Sequence, residues 1–273
     1  MARPLMSNIM KEKKVIHIIT GLNNGGAEAV LFRLCVNDSD NQHIVISLMD
    51  LGKYGPLLLD KGVDVYCLNM RQGKVTLKGI IKLYKLLKEL TPDIVQTWMY
   101  HADLIGGVVS RLAGIKNVYW NIRQTSLEKG LTSRSTIYVA KLCSLLSYLI
   151  PKKIVCCAYK ALEYHANLGY KQAKMTVVGN GYELDQLAVN SGQGRAVRAE
   201  LLLSNDDIIL GMVGRYDPAK DHSNLLLALS YLKESNNNFK CLLVGKLLSL
   251  ENRIFLEEIS KMGLTEHILL LEQ

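Results

Sequence analysis

Short apolar runs alternate with amphipathic segments along the first two thirds of the chain. Apolar, β-branched runs predict strands at residues 14–19, 43–49, 63–68, 93–98, 118–125, 153–158 and 175–178. Apolar residues that recur every three to four positions predict helices at residues 29–36, 75–90, 104–112, 134–150 and 162–168. Strands that alternate with helices form parallel sheets, because each helix returns the chain to the starting edge. The pattern therefore predicts an α/β fold with a Rossmann-like first domain.

The last third repeats this alternation after a break in composition. The polar, glycine-containing stretch 190–195 predicts a linker, which divides the chain into domains 1–190 and 191–273. Beyond it, strands are predicted at 208–213, 239–244 and 268–271, and helices at 197–203, 223–232 and 251–262. We therefore expect a second Rossmann-like domain whose parallel sheet is incomplete and has an unpaired edge.

The first candidate site follows the first strand of the second domain, which is apolar enough to be a buried parallel strand. Gly214 permits a sharp turn at its carboxyl end, where open α/β sheets bind ligands. Arg215 and Lys220 flank this turn, and two fixed cations favour a phosphate. Asp221 or Ser223 can cap the next helix, whose amino end adds partial positive charge. The alternative is an ordinary strand-turn-helix unit with solvated charges.

The second candidate site is the glycine-rich turn after the first strand of the chain. Gly25 and Gly26 allow backbone N–H groups to approach a ligand closely. A tight turn that binds nothing is the alternative. The turn lacks the Gly-x-Gly-x-x-Gly spacing, which disfavours a nicotinamide-dependent oxidoreductase.

Two further polar side chains follow predicted strands of the first domain. His101 comes after the fourth strand, where an imidazole can hydrogen-bond a sugar hydroxyl or a proton in transfer. A structural hydrogen bond is the alternative role for this histidine. Arg123 lies in the polar end of the fifth strand, and we expect it to line the cleft or to form a salt bridge with a neighbouring carboxylate.

Charge and composition narrow the classes of partner. The formal net charge of +8 over 273 residues favours an anionic partner, either a phosphorylated ligand or a membrane surface. Aromatic residues make up only 7% of the chain and we find no nucleic-acid-binding motif, so we expect no nucleic acid. The lysines at 78, 82, 85 and 88 predict a solvated helix face, or alternatively a patch for anionic lipid. The helix at 134–150 predicts burial against the sheet, or alternatively contact with a membrane interface.

Cysteine usage and the amino end indicate the compartment. The six cysteines lie mostly in apolar runs and form no Cys-x-x-Cys pair, which predicts reduced thiols and a cytoplasmic protein. Residues 1–14 are polar and basic and do not resemble a signal peptide. No apolar run approaches the ~18 residues of a spanning helix.

Several motifs resemble those of retaining, GT-B-type glycosyltransferases of family 4. The sequence Gly-Arg-x(4)-Lys-Asp-His at 214–222 is similar to the family's signature, in which the arginine and lysine grip the donor diphosphate. By this resemblance Arg215 and Lys220 would bind that diphosphate, and Gly-Gly-Ala-Glu at 25–28 would form the donor-side loop. Trp-Met-Tyr-His-Ala-Asp at 98–103 resembles the family segment whose histidine faces the reacting sugar, which would make His101 catalytic. The resemblance covers essentially the whole chain.

The resemblance also implies the reaction and its partners. The donor substrate would be a nucleotide-sugar, expected to be a UDP-sugar, and neither a cofactor nor a dedicated metal is implied. The acceptor would be a glycan or a lipid-linked glycan in surface polysaccharide synthesis, which would suit a cytoplasmic protein peripheral to the inner face of a membrane. Asn180 would line the cleft, since Gly-Asn-Gly at 179–181 resembles the family's Pro-Asn-Gly loop.

Some positions depart from the family pattern. Gly179 replaces the proline of that loop, Cys157-Ala158 stands where the family usually has serine, and Lys246 interrupts a Gly-x-Gly. The Glu-x(7)-Glu element that holds the donor ribose and sugar is missing, so we expect a carboxyl-terminal truncation. A non-catalytic or partner-dependent binding subunit, or a degenerate gene product, is therefore the alternative function.

Overall fold

The chain folds into two compact units, Met1–Tyr182 (unit 1) and Glu183–Gln273 (unit 2). The structure is a computed structural model that describes residues 12–128, 132–182, 184 and 191–272. Each unit has its own parallel sheet and its own hydrophobic core.

Unit 1 contains a parallel sheet of seven strands. The strands are β1 (Lys14–Ile19), β2 (Gln42–Ser47), β3 (Asp64–Cys67), β4 (Ile94–Trp98), β5 (Val118–Ile122), β6 (Lys153–Cys156) and β7 (Met175–Val177). Their order across the sheet is β3-β2-β1-β4-β5-β6-β7, and every neighbouring pair is parallel. The order therefore reverses direction between β1 and β4, as in doubly wound dinucleotide-binding sheets.

Helices cover both faces of this sheet. They are α1 (Gly26–Asn37), α2 (Tyr54–Asp60), α3 (Leu77–Leu90), α4 (Tyr100–Leu112), α5 (Arg134–Leu146) and α6 (Tyr159–Asn167). The helices α1 and α2 pack on one face, around Leu31 and Leu58, and α3 to α6 pack on the other, around Leu83 and Val109. Burying each such side chain stabilises the fold by about 1.5–3 kcal/mol.

Unit 2 is a smaller α/β unit. Its elements are α7 (Ser191–Glu200), β8 (Ile208–Val213), α8 (His222–Ser235), β9 (Phe239–Val244), α9 (Arg253–Lys261) and β10 (Ile268–Leu271). The parallel strands lie in the order β10-β9-β8. The core consists mainly of Leu226, Phe239, Leu243 and Phe255. The three predicted strands have the predicted bounds, because each apolar run is closed by polar or glycine residues.

Two expectations about the elements are wrong, and a third holds only in part. The strand β8 is not buried, since it lies at an edge of the described sheet and Val213 is 83% exposed. Residues 191–195 are not part of a linker, because α7 begins at Ser191. The helix α5 does pack against the sheet, through Ala140, Cys143 and Ser144, but Leu142 and Leu145 are exposed.

One helix was not predicted, and another begins early at the candidate site. Residues 54–60 form α2, which is too short to show a helical period. The helix α4 begins at Tyr100 and not at residue 104, so that His101 lies in its first turn and not in a loop. Among the described residues, no helix is long and apolar enough to cross a bilayer.

Candidate active site

The carboxyl edge of the unit 1 sheet brings together five of the predicted site residues. Ile19 at the end of β1 pairs with Trp98 at the end of β4, and the chain leaves these two strands in opposite directions. Such a reversal opens a crevice in which doubly wound proteins bind ligands. Gly25 and Gly26 follow β1 at this edge, His101 follows β4, Arg123 follows β5 and Asn180 follows β7.

The glycine-rich turn forms an accessible helix amino end. Gly25 is the N-cap of α1, and no side chain caps the helix. A Cβ atom at Gly26 would meet no atom within 4 Å, whereas the place of a Cβ at Gly25 is taken by the carboxylate of Glu28. Burial raises the pKa of Glu28, the acidic residue of this turn, and its carboxylate accepts a hydrogen bond from its own backbone N–H, which opposes the rise. The helix dipole and the remaining N–H groups of the turn favour an anion on the Gly26 side.

Gly52, which the sequence did not indicate, fixes the shape of this turn. It has a φ of +49°, and a Cβ atom there would lie 2.7 Å from the backbone nitrogen of Asn23. The N–H of Tyr54 donates a hydrogen bond of 2.8 Å to the carbonyl of Leu22. The loop before α2 therefore supports the glycine-rich turn from behind, at a distance that only glycine allows.

His101 is held at the sheet edge by an unusual turn. Met99, the N-cap of α4, has φ 69° and ψ 157°, a conformation that is rare for residues other than glycine. Its N–H donates a hydrogen bond of 3.1 Å to the carbonyl of Asn121. The imidazole of His101 has no hydrogen-bond partner among the described residues, and partial burial lowers its pKa. A neutral ring is therefore presented near pH 7, able to donate or accept a hydrogen bond.

The first turn of α4 is anchored by buried polar contacts. The hydroxyl of Tyr100 lies 2.6 Å from Nε2 of His165, whose Nδ1 donates to the carbonyl of Ala161 at 2.7 Å. The hydroxyl of Thr97 donates a 2.5 Å hydrogen bond to Asp103, and burial raises the pKa of this carboxyl group well above its usual range. Sequence patterns cannot reveal these pairs, because their members are up to 65 residues apart.

Arg123 and Asn180 contact each other directly. The guanidinium of Arg123 donates to the side-chain oxygens of Asn180 and Asn121, and its carbon lies 5.6 Å from the centre of the Trp98 ring. Among the described residues, Arg123 has no carboxylate within salt-bridge distance, so the salt bridge considered from the sequence is not formed there. A second arginine, Arg33 of α1, donates from Nε to the carbonyl of Gly181 at 2.9 Å. No motif indicated Arg33.

A buried hydrogen-bond chain supports Trp98. The indole N–H donates to Nδ1 of His17 at 3.2 Å, and Nε2 of His17 lies 2.9 Å from Nδ1 of His43. Nε2 of His43 in turn lies 3.1 Å from a carboxylate oxygen of Asp38. Burial, followed by the charge of His43, lowers the pKa of His17 to about 3. Both rings are therefore tied to the sheet as hydrogen-bonding groups inside the core.

His17, His43 and Cys35 also form a group with metal-ligand spacing among the described residues. Their ligand atoms all lie within 4.8 Å of one another. Because the Trp98 indole donates to Nδ1 of His17, the proton of the neutral ring must be on Nε2, the nitrogen that would face a metal. Burial also raises the pKa of the Cys35 thiol to about 12. The residues present therefore fit a hydrogen-bonded core better than a metal site.

The carboxyl end of β8 is the candidate site of unit 2. The methylene groups of Lys220 lie 3.5–3.6 Å from the point where a Cβ of Gly214 would be, so the lysine folds back over the strand end. Nε of Arg215, an exposed side chain, donates a 2.9 Å hydrogen bond to Asp217. The N–H of Ala219 donates to the other oxygen of Asp217, and this bond and Arg215 lower the pKa of the carboxyl group. Both predicted cations therefore lie beside one carboxylate.

Gly245 and His222 shape this strand end. Gly245 has a φ of +150°, and a Cβ there would lie 2.6 Å from the carbonyl carbon of Gly214 and 3.0 Å from the nitrogen of Arg215. The ring of His222 is buried against Tyr216 and Phe255, and burial lowers its pKa. His222 therefore anchors the start of α8 and is not an exposed ligand. Asp221 is the N-cap of α8, but neither it nor Ser223 caps the helix with its side chain.

Sequence models of two known families match the chain. Residues 18–186 match the sequence model of Glycosyltransferase Family 4, and residues 194–273 match that of Glycosyl transferases group 1. The chain belongs to glycosyltransferase family 4. The family predicted from the motifs is therefore confirmed.

Two curated relatives are similar to parts of this family 4 chain. The Escherichia coli UDP-Gal:alpha-D-GlcNAc-diphosphoundecaprenol alpha-1,3-galactosyltransferase is 28% identical over 176 residues, which are 64% of this chain and 45% of that protein. EpsF of Bacillus subtilis (strain 168) is 22% identical over 241 residues, 86% of this chain and 62% of that protein. The chain thus spans about half of the length of these relatives.

Solved structures show the same fold. The crystal structure of Anabaena Alr3699/HepE in complex with UDP-glucose has a TM-score of 0.80 at 18% identity, covering 96% of this chain and 69% of that one. The apo form of the lipopolysaccharide outer core galactosyltransferase WaaB has a TM-score of 0.62 at 14% identity, covering 95% and 68%. The predicted fold class, α/β and GT-B-like with two Rossmann-like parallel-sheet domains, is confirmed. The roles of the individual site residues stay predictions.

Proposed function

We propose that this family 4 protein is a retaining glycosyltransferase that moves a sugar from a UDP-sugar to a glycan or lipid-linked acceptor. The observation that carries the proposal is the turn after β8, where Lys220 folds over Gly214 beside Arg215. Two cations at the carboxyl end of a parallel strand suit the diphosphate of a nucleotide-sugar. The match to Glycosyl transferases group 1 covers this turn.

The reaction breaks the bond between the anomeric carbon of the sugar and the diphosphate oxygen. An acceptor hydroxyl forms the new bond on the same face of the sugar, and its proton passes to the departing diphosphate. Arg215 and Lys220 would stabilise the negative charge that develops on the leaving diphosphate. The neutral ring of His101 would hydrogen-bond the donor sugar and position its anomeric carbon.

An acceptor at a membrane surface is supported by the exposed side of α5. Tyr138, Leu142 and Leu145 of this helix and Leu149 after it are exposed at intervals of three to four residues, and we call them the α5 stripe. Lys141 and Lys152 lie beside it and are exposed. An apolar stripe flanked by lysines suits the interface of an anionic bilayer. We therefore propose that the protein works at the inner face of a membrane, as a peripheral protein.

The test of the donor site is UDP binding measured by calorimetry. Arg215→Ala and Lys220→Ala should each weaken binding about 10-fold, because each removes a charge-assisted hydrogen bond. Lys233→Ala is the matched control, since Lys233 donates to the carbonyl of Gly263 near the end of α8. Asp217→Asn should tighten binding several-fold, since it removes a competing negative charge while its amide oxygen still accepts from Ala219.

Unchanged affinity for UDP in both the Arg215 and Lys220 variants would remove this assignment. Turnover is tested separately, by transfer of labelled sugar from UDP-glucose or UDP-galactose to a membrane extract. Protein that binds UDP but transfers sugar only when another gene product is added would instead support the partner-dependent binding subunit.

A further inference from the structure

Two arginines of unit 1 lie close together on the α1 side of the sheet edge. Nε of Arg33 donates to the carbonyl of Gly181, and the guanidinium carbon lies 4.9 Å from the centre of the Tyr182 ring. These contacts fix the plane of the guanidinium. Its two terminal nitrogens have no hydrogen-bond partner among the described residues and remain able to donate as a pair.

Arg123 is held just as firmly. It donates to Asn121 and Asn180 and stands over the ring of Trp98, which is itself buried and bonded to His17. Since Oδ1 of Asn180 accepts from Arg123, the amide nitrogen of Asn180 is left as a further donor. Asn180 and Tyr182 are exposed, so a ligand can reach this place from solvent.

The charges of this pair are not compensated within the described part of the chain. No carboxylate there lies within 4 Å of either guanidinium. Burial lowers the pKa of Arg123, Cys157 and Tyr182 oppose this, and the neighbouring charge of Arg33 makes a smaller contribution in the same direction as burial. Two partly buried like charges repel each other, and an anion between them would relieve this repulsion.

We propose that Arg33 and Arg123, assisted by Asn180, bind a diphosphate group of the acceptor. The inference rests on the proposed function and gives it a substrate class, a diphosphate-linked lipid glycan. Guanidinium forks match the paired oxygens of phosphate, and two cations match the charge of one diphosphate. The donor diphosphate is assigned to a separate pair of cations in unit 2, which leaves the pair in unit 1 for the acceptor.

The test uses farnesyl diphosphate, a soluble prenyl diphosphate, and the full chain. Calorimetric titration should show binding to protein already saturated with UDP, and farnesol without its diphosphate should not bind. Arg33→Gln and Arg123→Gln should each weaken farnesyl diphosphate binding about 10-fold or more, because each loses charge-assisted hydrogen bonds. Arg111→Ala is the control, since this exposed arginine of the last turn of α4 lies at the opposite edge of the sheet.

Competition with farnesyl diphosphate, by inorganic pyrophosphate and by UDP, distinguishes an acceptor diphosphate from the donor diphosphate at this site. Pyrophosphate that competes with farnesyl diphosphate in the wild type supports recognition of the diphosphate itself. Displacement of farnesyl diphosphate by UDP would overturn the inference, since the donor would then occupy the pair. Equal binding by the wild type and both glutamine variants would overturn it as well.

Urea unfolding of the same variants controls for the folding of unit 1, and UDP binding separates the two proposals. In Arg33 and Arg123 variants that unfold at the wild-type urea concentration, a loss of farnesyl diphosphate binding supports the site. If UDP binds through Arg215 and Lys220 but farnesyl diphosphate does not bind, the inference fails and the proposed function remains. If farnesyl diphosphate binds but UDP does not, the donor assignment fails and the anion site remains.

Discussion

The indole N–H of Trp98 donates a 3.2 Å hydrogen bond to Nδ1 of His17, from the end of one central strand to the middle of its neighbour. This bond assigns the ring proton of His17 to Nε2 and directs it towards His43. It also fixes the indole over which Arg123 stands. A buried histidine pair thus positions the surface on which the proposed anion site is built.

Acid should destabilise unit 1 through His17. The folded state depresses the pKa of His17 from 6.5 to about 3, so the unfolded chain binds a proton first as pH falls. Stability that is complete above pH 6.5 is therefore lost progressively as the pH falls from 6.5 towards 3. Between pH 7 and pH 5 this single group should cost about 2 kcal/mol.

The free energy of unfolding of unit 1 is measured at each pH by urea titration, with tryptophan fluorescence as the signal. Both tryptophans of the chain, Trp98 and Trp120, lie in unit 1. His17→Gln keeps an acceptor for Trp98 and a donor for His43 but does not titrate. Its free energy of unfolding should fall about 2 kcal/mol less than that of the wild type over the same pH range. Parallel pH curves for the two proteins would show that His17 is not the responsible group.

Replacing His101 should weaken binding of the donor sugar and leave binding of the nucleotide unchanged. His101→Ala should reduce kcat by about 10- to 100-fold, since a positioning hydrogen bond in the transition state is lost. The affinity for UDP, which has no sugar, should stay at the wild-type value, whereas that for the UDP-sugar should fall. Calorimetry with both ligands and steady-state rates check this. An equal loss of affinity for both ligands would contradict the assigned role.

Gly245→Ala should disturb the candidate donor site. The new Cβ would lie 2.6 Å from the carbonyl carbon of Gly214, so the ends of β8 and β9 must separate. We expect a loss of about 2–4 kcal/mol in the stability of unit 2. Gly263→Ala is the matched control, since it has a φ of +68° but only Lys233 Nζ near the new Cβ, at 3.6 Å. That control should cost about 1 kcal/mol.

Amide hydrogen exchange in β8 and β9 distinguishes the two glycine variants. Protection there should fall in Gly245→Ala and stay near the wild-type level in Gly263→Ala. Similar protection in both variants would show that the strand ends tolerate a side chain at residue 245.

Vesicle binding should depend on the α5 stripe. Leu145 and Leu149 are each 71% exposed, so replacing both by serine should leave stability within about 0.5 kcal/mol. Co-sedimentation with vesicles containing phosphatidylglycerol should fall several-fold, because two apolar side chains leave the interface. Leu112→Ser on α4 is the control, because it removes an equally exposed (71%) apolar side chain outside the α5 stripe. Equal vesicle binding by the wild type and the double variant would contradict the proposed membrane contact.

The strands were the most predictable part of the fold. β1, β8, β9 and β10 have the predicted bounds, because apolar β-branched runs end abruptly at polar or glycine residues. The start of α4 was missed, since residues 100–103 have no helical period and an unusual Met99 backbone begins the helix. The prediction that β8 is buried was wrong, because the sequence of a strand does not indicate whether the strand lies at the centre or at the edge of a sheet.

The sequence by itself determined the order of the strands, the family and the polar residues that follow each strand, since these depend on local pattern and motif. Only the tertiary structure decided that Arg33 lies near Arg123 and that His17 supports Trp98. Partners such as Arg33 and Gly181 are 148 residues apart in the chain. The reason is physical: strand order and the choice of sheet face set these distances, and neither is a property of any local stretch of sequence.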